Sequence, residues 1–564
     1  MKTYDQTPIF PDADPRSDRF RCGGRESKFL AGTMIVVGCL LIAWNTAQAE
    51  ENWPQWRGPT RDGVAAKGPA LLAPWPAKGP KKLWESEPIP TQKEGGFGSV
   101  VVVGGKAYVF VGLKDLLITR RIDGGDRWAH NLQLVPEGSD KLPEALAKAS
   151  EESRLSPDRV KLKNEEILGW VDDWIAKNLT DDELKKFGPF VKNRLSAGTR
   201  AIPLELFAKL EAARKKEFAN QAEIETWFKE NGIQGVHRDL VMNLVPTVNA
   251  ETKDAIFCLD AATGKTLWKK EYPNAPMPDI ETAGSSTPTV ADGRCYVSGC
   301  LAMYCLNAEN GAEIWKIAPL DYGPNCSSPL LVDGLVVVRS GAKLGLAAYD
   351  PKDGKLVWNQ KAIAAGRACS SSPTAWVKDG KSHVLCNDDK QIFCLEAKTG
   401  NVLWSVPGGW AGSPVVSGDY LVAAGARYAY KMTPEKAEKV WDRGGISATT
   451  AVIFAGHVYA CTGKHFTCTK LEGGDKPLWD QAGTFSGGDF VENGSPVLAD
   501  GKLFTIGERG LLTMIKASPE KFELLGKVEN SGASENTTPA IAEGKMYLRM
   551  SKCVACFDLT MGTE

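Results

Sequence analysis

From residue 285 onward, apolar and polar positions alternate in short runs that return in a fixed order. One copy opens with Ser286-Thr287-Pro288-Thr289-Val290, turns at Asp292-Gly293 and continues as Arg294 to Ser298. A third run ends near Met303-Tyr304-Cys305-Leu306, and a turn through Asn310-Gly311 leads into a fourth that ends at Trp315. Alternation of period two gives each run one buried face. Four short strands per roughly 40 residues predict the blade of a β-propeller.

The Ser/Thr-Pro opening returns at Ser328-Pro329, Ser372-Pro373, Ser413-Pro414, Ser495-Pro496 and Thr538-Pro539, and Thr449-Thr450 keeps its place without the proline. The closing aromatic returns at Trp268, Trp315, Trp358, Trp404, Trp441 and Trp479, and in the next copy Leu524 is read in its position. Thr263-Gly264, Asp353-Gly354 and Thr399-Gly400 stand where a hairpin needs a residue at positive φ. The tryptophan that follows is large and flat, suited to the wedge between neighbouring blades, so its expected role is structural docking.

The final copy, Cys556 to Gly562, matches Cys394 to Gly400, and only Thr563-Glu564 follow it. A missing fourth strand leaves an open sheet edge, which closed folds avoid. Near the N-terminus, Lys81-Lys82-Leu83-Trp84 resembles Asn401 to Trp404. Trp84 is therefore expected to complete the last blade. With it the outer strands number eight. The predicted fold is all-β, an eight-bladed propeller of four-stranded antiparallel blades.

The first blade is interrupted. Ser99 to Val102 and Gly105 to Phe110 read as its first two strands, but the third appears only at Ala255 to Leu259. Roughly 140 residues intervene, far beyond a hairpin loop. They predict an α-helical insertion over 113–254. Thr180-x-x-Glu183 is a capping box, Gly188 reads as a helix stop, and Leu168, Val171, Trp174 and Ile175 follow helical spacing. Leu204 to Phe218 and Glu223 to Asn231 are further amphipathic stretches, whereas Leu116 to Trp128 reads as a short hairpin ahead of the helices. The expected organisation is a leader over 1–49, the N-terminal segment with the closing strand and start of the first blade over 50–112, the insertion, and the rest of the propeller over 255–564.

The leader reads as an export signal. Arg21, Arg25 and Lys28 precede the apolar run Phe29 to Trp44, and Ala47-Gln48-Ala49 offers a cleavage site. The alternatives are a retained anchor, or lipid attachment at Cys39, so membrane contact is expected only in those two cases. Otherwise the protein is periplasmic or extracellular. Charge is balanced, with 68 Lys+Arg against 69 Asp+Glu, which speaks against nucleic acid as a partner. Of 14 cysteines, Cys22 and Cys39 fall in the leader. Cys258, Cys305, Cys394 and Cys556 recur inside strands, as small buried residues do. An exported chain also permits disulfides, and Cys386 with Cys394, flanking one hairpin, is the first pair to test.

The segment Cys258-Leu259-Asp260-Ala261-Ala262-Thr263-Gly264-Lys265-Thr266-Leu267-Trp268, repeated at Cys394 to Trp404, resembles the tryptophan-docking motif of PQQ-like, or quinoprotein-type, propeller repeats. The fold is of the broad class that also holds WD40- and YVTN-type repeats. The opening Trp53-Pro54-Gln55-Trp56-Arg57-Gly58-Pro59 and the helical insert resemble secreted members of the superfamily common in planctomycete bacteria. The resemblance implies one of two classes: PQQ- and calcium-dependent alcohol or sugar dehydrogenases, or cofactor-free scaffolds such as the outer-membrane barrel-assembly propeller.

A dehydrogenase resembling this fold carries adjacent cysteines beside its quinone, and no Cys-Cys pair occurs here. It also needs calcium held by carboxylate and amide oxygens. The residues that fit are Glu492-Asn493 and Glu535-Asn536, each just ahead of a first strand at the channel mouth, with Asn325 two blades further round. Calcium is placed at Glu492 and Glu535 under this reading alone. The bland reading is that these residues cap strand ends. Arg339, Arg367 and Arg427 lie near strand ends where a guanidinium suits an anionic ligand or a rim ion pair. His130, His237, His383, His457 and His465 show no metal spacing, and no Gly-x-Ser-x-Gly elbow or phosphate loop occurs. The leading expectation is a non-catalytic exported binding propeller, with no cofactor. Its rims or insertion would meet another protein or an extracellular polymer. The alternative is a PQQ- and calcium-dependent alcohol dehydrogenase.

Overall fold

In the computed structural model the described residues are 52–91, 95–121, 128–137, 141–163, 165–214, 216–243, 247–274, 284–317, 326–340, 344–363, 370–444, 447–462, 465–483 and 494–562. They form eight antiparallel sheets, one per repeat. Blade 2 shows the pattern, with strands Thr289–Ala291, Arg294–Ser298, Met303–Asn307 and Glu313–Ile317 in sequence order across the sheet. Blades 3 to 7 follow it in turn and end in Leu356–Gln360, Val402–Pro407, Ala437–Asp442, Pro477–Ala482 and Leu524–Val528.

Blade 8 is closed by the N-terminal segment. Its own strands are Ala540–Ala542, Lys545–Arg549 and Val554–Gly562, and Pro80–Glu85 pairs antiparallel with the last of these, Trp84 opposite Cys556. The edge left open by the chain is thereby paired.

Each docking tryptophan stands opposite a small residue on the third strand of its blade: Trp268 on Cys258, Trp315 on Cys305, Trp404 on Cys394, Trp479 on Cys468, Trp358 on Ala348 and Trp441 on Ala429. The recurring cysteines are thus packing residues beneath an indole. The indole N–H reaches into the next blade. Trp84 donates to Ala261 O at 3.1 Å, Trp268 to Ala308 O at 3.1 Å and Trp358 to Ala397 O at 3.0 Å. Trp315, Trp404, Trp441 and Trp479 repeat the bond onto Pro351, Thr433, Leu471 and Ser518.

Blade 7 departs from the expectation at Leu524. Leu524 pairs with Ile515 and is 43% exposed, while Gly526 stands in the tryptophan register, opposite Met514. The missing indole comes from outside the repeat. Trp75, in the N-terminal segment, lies flat on Gly526, packs against Phe504 at 5.9 Å between centroids, and donates its backbone N–H to Leu525 O. A glycine is needed there, since a β-carbon at Gly526 would stand 2.6 Å from Trp75 Cβ.

The pair Cys386 and Cys394 is not a disulfide; both are free thiols. Register explains it. Cys386 faces Phe393 and Cys394 faces Leu385, so the two sulfurs leave opposite faces of one sheet and join different cores.

Strands Lys106–Arg121 and Thr247–Asp260 run past the blade as a long antiparallel ladder, joined by Glu217–Phe218. Leu116 to Arg121, read as part of a separate hairpin, therefore belong to the second strand. Between them lie the helices Glu144–Arg154, Glu165–Asn178, Asp181–Ala197, Leu206–Ala212, Gln221–Glu230 and Gly235–Asn243, with two shorter ones. The capping box at Thr180 and Glu183 is formed in both directions. Gly188 does not stop its helix; it is buried inside Asp181–Ala197, which ends at Gly198. Val171 and Ile175 face the helical core with Phe187, Val191 and Leu195, and Leu168 lies exposed. No helix among the described residues is long and apolar enough to cross a membrane. The leader, with Cys39, lies outside the described residues.

Candidate functional site

The Ser/Thr-Pro openings converge on the central channel. Seven of the eight hydroxyls accept the backbone N–H of their counterpart in the preceding blade. Thr538 N–H donates to Ser99 Oγ, Ser99 to Thr287, Thr287 to Ser328, Ser328 to Ser372, Ser372 to Ser413, Ser413 to Thr450 and Thr450 to Ser495, over 2.8–3.1 Å. The repeated letter that marks a strand start in the sequence is, in the ring, a link between blades. Each of these seven oxygens accepts an amide and still carries an O–H that can donate.

One end of the channel is shut by the segment that opens the described chain. Trp53 is buried and pairs with Val102, Pro54 O accepts from Val290 N–H, and Val64 bridges to Leu498. Two fully buried arginines hold this plug. Arg57 donates to Thr450 O (3.1 Å), Ala451 O (2.6 Å), Pro496 O (2.9 Å) and Asp62 O (2.9 Å). Arg61 donates to Ser328 O (3.3 Å), Pro373 O (2.8 Å), Pro329 O and Gln55 Oε1 (2.7 Å). Between them the two guanidiniums tie blades 3, 4, 6 and 7. Both residues sit at positive φ, +63° and +62°, which is strained for a side chain larger than glycine and is held by these carbonyl cages. Burial pulls each guanidinium pKa down to about 9, with Asp62 partly opposing the effect at Arg57. Neither forms an ion pair among the described residues.

The result is a pit of about 270 Å³. The hydroxyl ring forms its wall, Trp56 and Phe97 contribute aromatic faces, and Cys326 and Asn536 also line it. No Asp, Glu, His or Lys occurs among its described lining residues.

Of the residues singled out in the sequence, Asn536 reaches the pit, at a positive φ of 64°. Glu535 is drawn to the neighbouring loop, where its carboxylate accepts from Arg509 N–H. Glu492, Asn493, Asn325 and Arg367 lie outside the described residues. Arg339 is buried and donates to Ser371 O and Asn387 O, while Arg427 stacks on Tyr428 and pairs with Asp442 at 3.2 Å. His465 pairs with Asp480 at 2.6 Å and His383 stacks on Trp376, both away from the channel lining. Calcium takes six to eight oxygen ligands. The described pit offers it one side-chain amide and no carboxylate, and no group of three or more His, Cys, Asp or Glu side chains suited to a metal occurs among the described residues. The described residues do not fit that ion.

The plug arginines and Trp75 were not legible as functional or structural positions. The signal for Trp75 was blade 7 itself, which has Gly526 where the other blades have their docking tryptophan.

Residues 252–476 match the family model described as "Outer membrane protein assembly factor BamB". Among curated proteins, the outer membrane protein assembly factor BamB of Moranella endobia is 26% identical over 178 residues, 29% of this chain and 44% of the relative. The serine/threonine-protein kinase AfsK of Streptomyces coelicolor is 27% identical over 164 residues, 29% of this chain and 18% of the relative. The chain spans less than half the length of the curated relatives it matches. Similar solved structures include BamB from Moraxella catarrhalis, at TM-score 0.42 and 15% identity over 53% of this chain and 88% of that one. Quinohemoprotein alcohol dehydrogenase from Comamonas testosteroni has TM-score 0.42 and 13% identity over 57% and 74%.

Proposed function

We propose that this chain, a propeller of PQQ-like repeats, is an exported binding module that holds a small ligand in its channel pit and turns over no substrate. Its rims or helical insertion meet another protein or an extracellular polymer. The observation that carries the reading is the pit itself: it is walled by hydroxyls already fixed by backbone amides, and its described lining has no carboxylate, imidazole or amine, the Cys326 thiol being the one titratable side chain among those residues. Proton transfer needs a titratable group within hydrogen-bond reach of the reacting atom, whereas binding needs the fixed donors that are present. A domain-sized partner has ample surface outside the pit, and the similarity to a family named for assembly of outer membrane proteins accords with a protein partner.

The test is reconstitution of the full chain with PQQ and calcium, followed by dye-linked oxidation of short alcohols. The expected outcome is no turnover above the cofactor alone. Turnover that disappears in Glu535→Ala would replace this reading with a quinoprotein dehydrogenase. Export is tested separately, by sequencing the N-terminus of secreted material, with Glu50 expected as the first residue. An N-terminus at Met1 would remove that part.

A further inference from the structure

Four guanidiniums are buried around the channel: Arg57 and Arg61 in the plug, and Arg339 and Arg549 at the ends of second strands. Buried cations are ordinarily paired. These four meet carbonyls, and no carboxylate pairs with any of them among the described residues. Arg339 Nη1 and Arg549 Nε and Nη1 find no partner among those residues at all.

The two plug cations adjoin residues that line the pit. Arg57 Cζ lies 5.8 Å from the ring centre of Trp56, which lines the pit. Arg57 and Arg61 also bond the carbonyls of Thr450 and Ser328, whose hydroxyls belong to the ring. The orientation is consistent around the channel. In four blades carbonyls point at the cations, seven amides point at neighbouring hydroxyl oxygens, and each hydroxyl keeps an O–H able to donate to a ligand. Positive charge nearby and hydrogen-bond donors around the wall make an environment complementary to negatively charged oxygen.

We infer that the channel pit is a site for a small oxyanion, a carboxylate or phosphate group held by the hydroxyl ring near the buried pair Arg57 and Arg61. The inference rests on the reading of the pit as the ligand site and specifies its charge. A volume of about 270 Å³ admits a molecule of several heavy atoms with its hydration reduced, and does not require the rims to open.

The experiment is calorimetric titration of the full chain with succinate, with inorganic phosphate and with glucose, at matched ionic strength in chloride. Binding of succinate or phosphate, and none of glucose, is expected; which anion binds distinguishes the two oxyanion classes. Ser413→Ala removes one donor and should weaken binding by roughly tenfold, with Ser413→Thr restoring it. Should Ser413→Ala fail to fold, alkylation of Cys326 in the unaltered protein gives the same answer. This thiol lines the pit, and the bound anion should slow its modification where glucose does not. If glucose binds instead and protects Cys326, the pit stands as a ligand site and its anion preference falls. If neither anion binds, or if anion binding ignores both Ser413→Ala and Cys326, the inference is overturned.

Discussion

Gly264 lies beneath the indole of Trp84, so close that a β-carbon on it would stand 2.4 Å from the ring. This contact seats the closing strand of blade 8 on blade 1, and it recurs where Gly311, Gly354 and Gly400 meet Trp268, Trp315 and Trp358. Gly264→Ala should therefore lower stability by about 2–3 kcal/mol, combining a positive φ of 74° with a clash. Gly293→Ala is the matched control, at φ 70° with open space around it, and should cost only about 1 kcal/mol. Equal losses in urea unfolding would show that the indole yields freely.

Trp75 fills the wedge that blade 7 leaves empty. Trp75→Ala should cost about 3–5 kcal/mol, the range of a large aromatic removed from a core. Ala at Gly526 strikes both the Cβ and the indole of Trp75, so the double variant Trp75→Gly, Gly526→Ala should lose less than the sum of the two single changes. Additive losses in denaturant titrations would mean the two residues do not share one space.

Arg57 ties the plug to two blades through backbone carbonyls. Arg57→Ala leaves those acceptors buried and unpaired, for an expected loss of about 2–4 kcal/mol. A chain beginning at residue 91 goes further, discarding plug, Trp75 and closing strand together. It should give a broad, non-cooperative melt in place of a single transition. A sharp melt at the full-chain temperature would refute the closing role of Trp84.

Alkaline pH should weaken the fold through its thiols. Burial pushes Cys258, Cys394, Cys461 and Cys556 up to about 12, and Cys305 and Cys468 to about 11, from an ordinary value near 9. Between those values the folded state holds protons that the unfolded state has released. Their contribution is complete below pH 9, declines as pH rises and is gone once pH passes about 12. Arg57, Arg61 and Arg549, lowered to about 9, act in the opposite sense but are outnumbered. The melting temperature should fall from pH 9 to pH 11, and a flat or rising profile would contradict the account.

The blade count, the docking tryptophans and the N-terminal closure were legible because a repeat displays its core positions many times. What the repeat could not display was anything supplied once. Leu524 was read as the seventh docking residue because the pattern demanded a residue there, and the true partner, Trp75, lies outside the pattern. Arg57 and Arg61 are single residues whose carbonyl partners come from four blades, a relation no local spacing encodes. Ser372 and Ser413 were visible as strand openings, but the bond between them exists only once two blades stand side by side. Among the site residues, Asn536 reached the channel and its neighbour Glu535 turned away, because alternate residues on a bent backbone face different ways.

The closing strand also imposes an order in time. Ser86 Oγ accepts the amide of Val554 across 468 positions of sequence. On a chain made from its N-terminus, Pro80–Glu85 is finished long before its mate, Val554–Gly562, with the other seven blades made in between. For the whole interval that strand carries an unmatched backbone edge and an indole with no socket. The cell therefore has reason to chaperone this short stretch until the final repeat arrives, and a ribosome that stalls in blade 8 releases a ring that cannot lock.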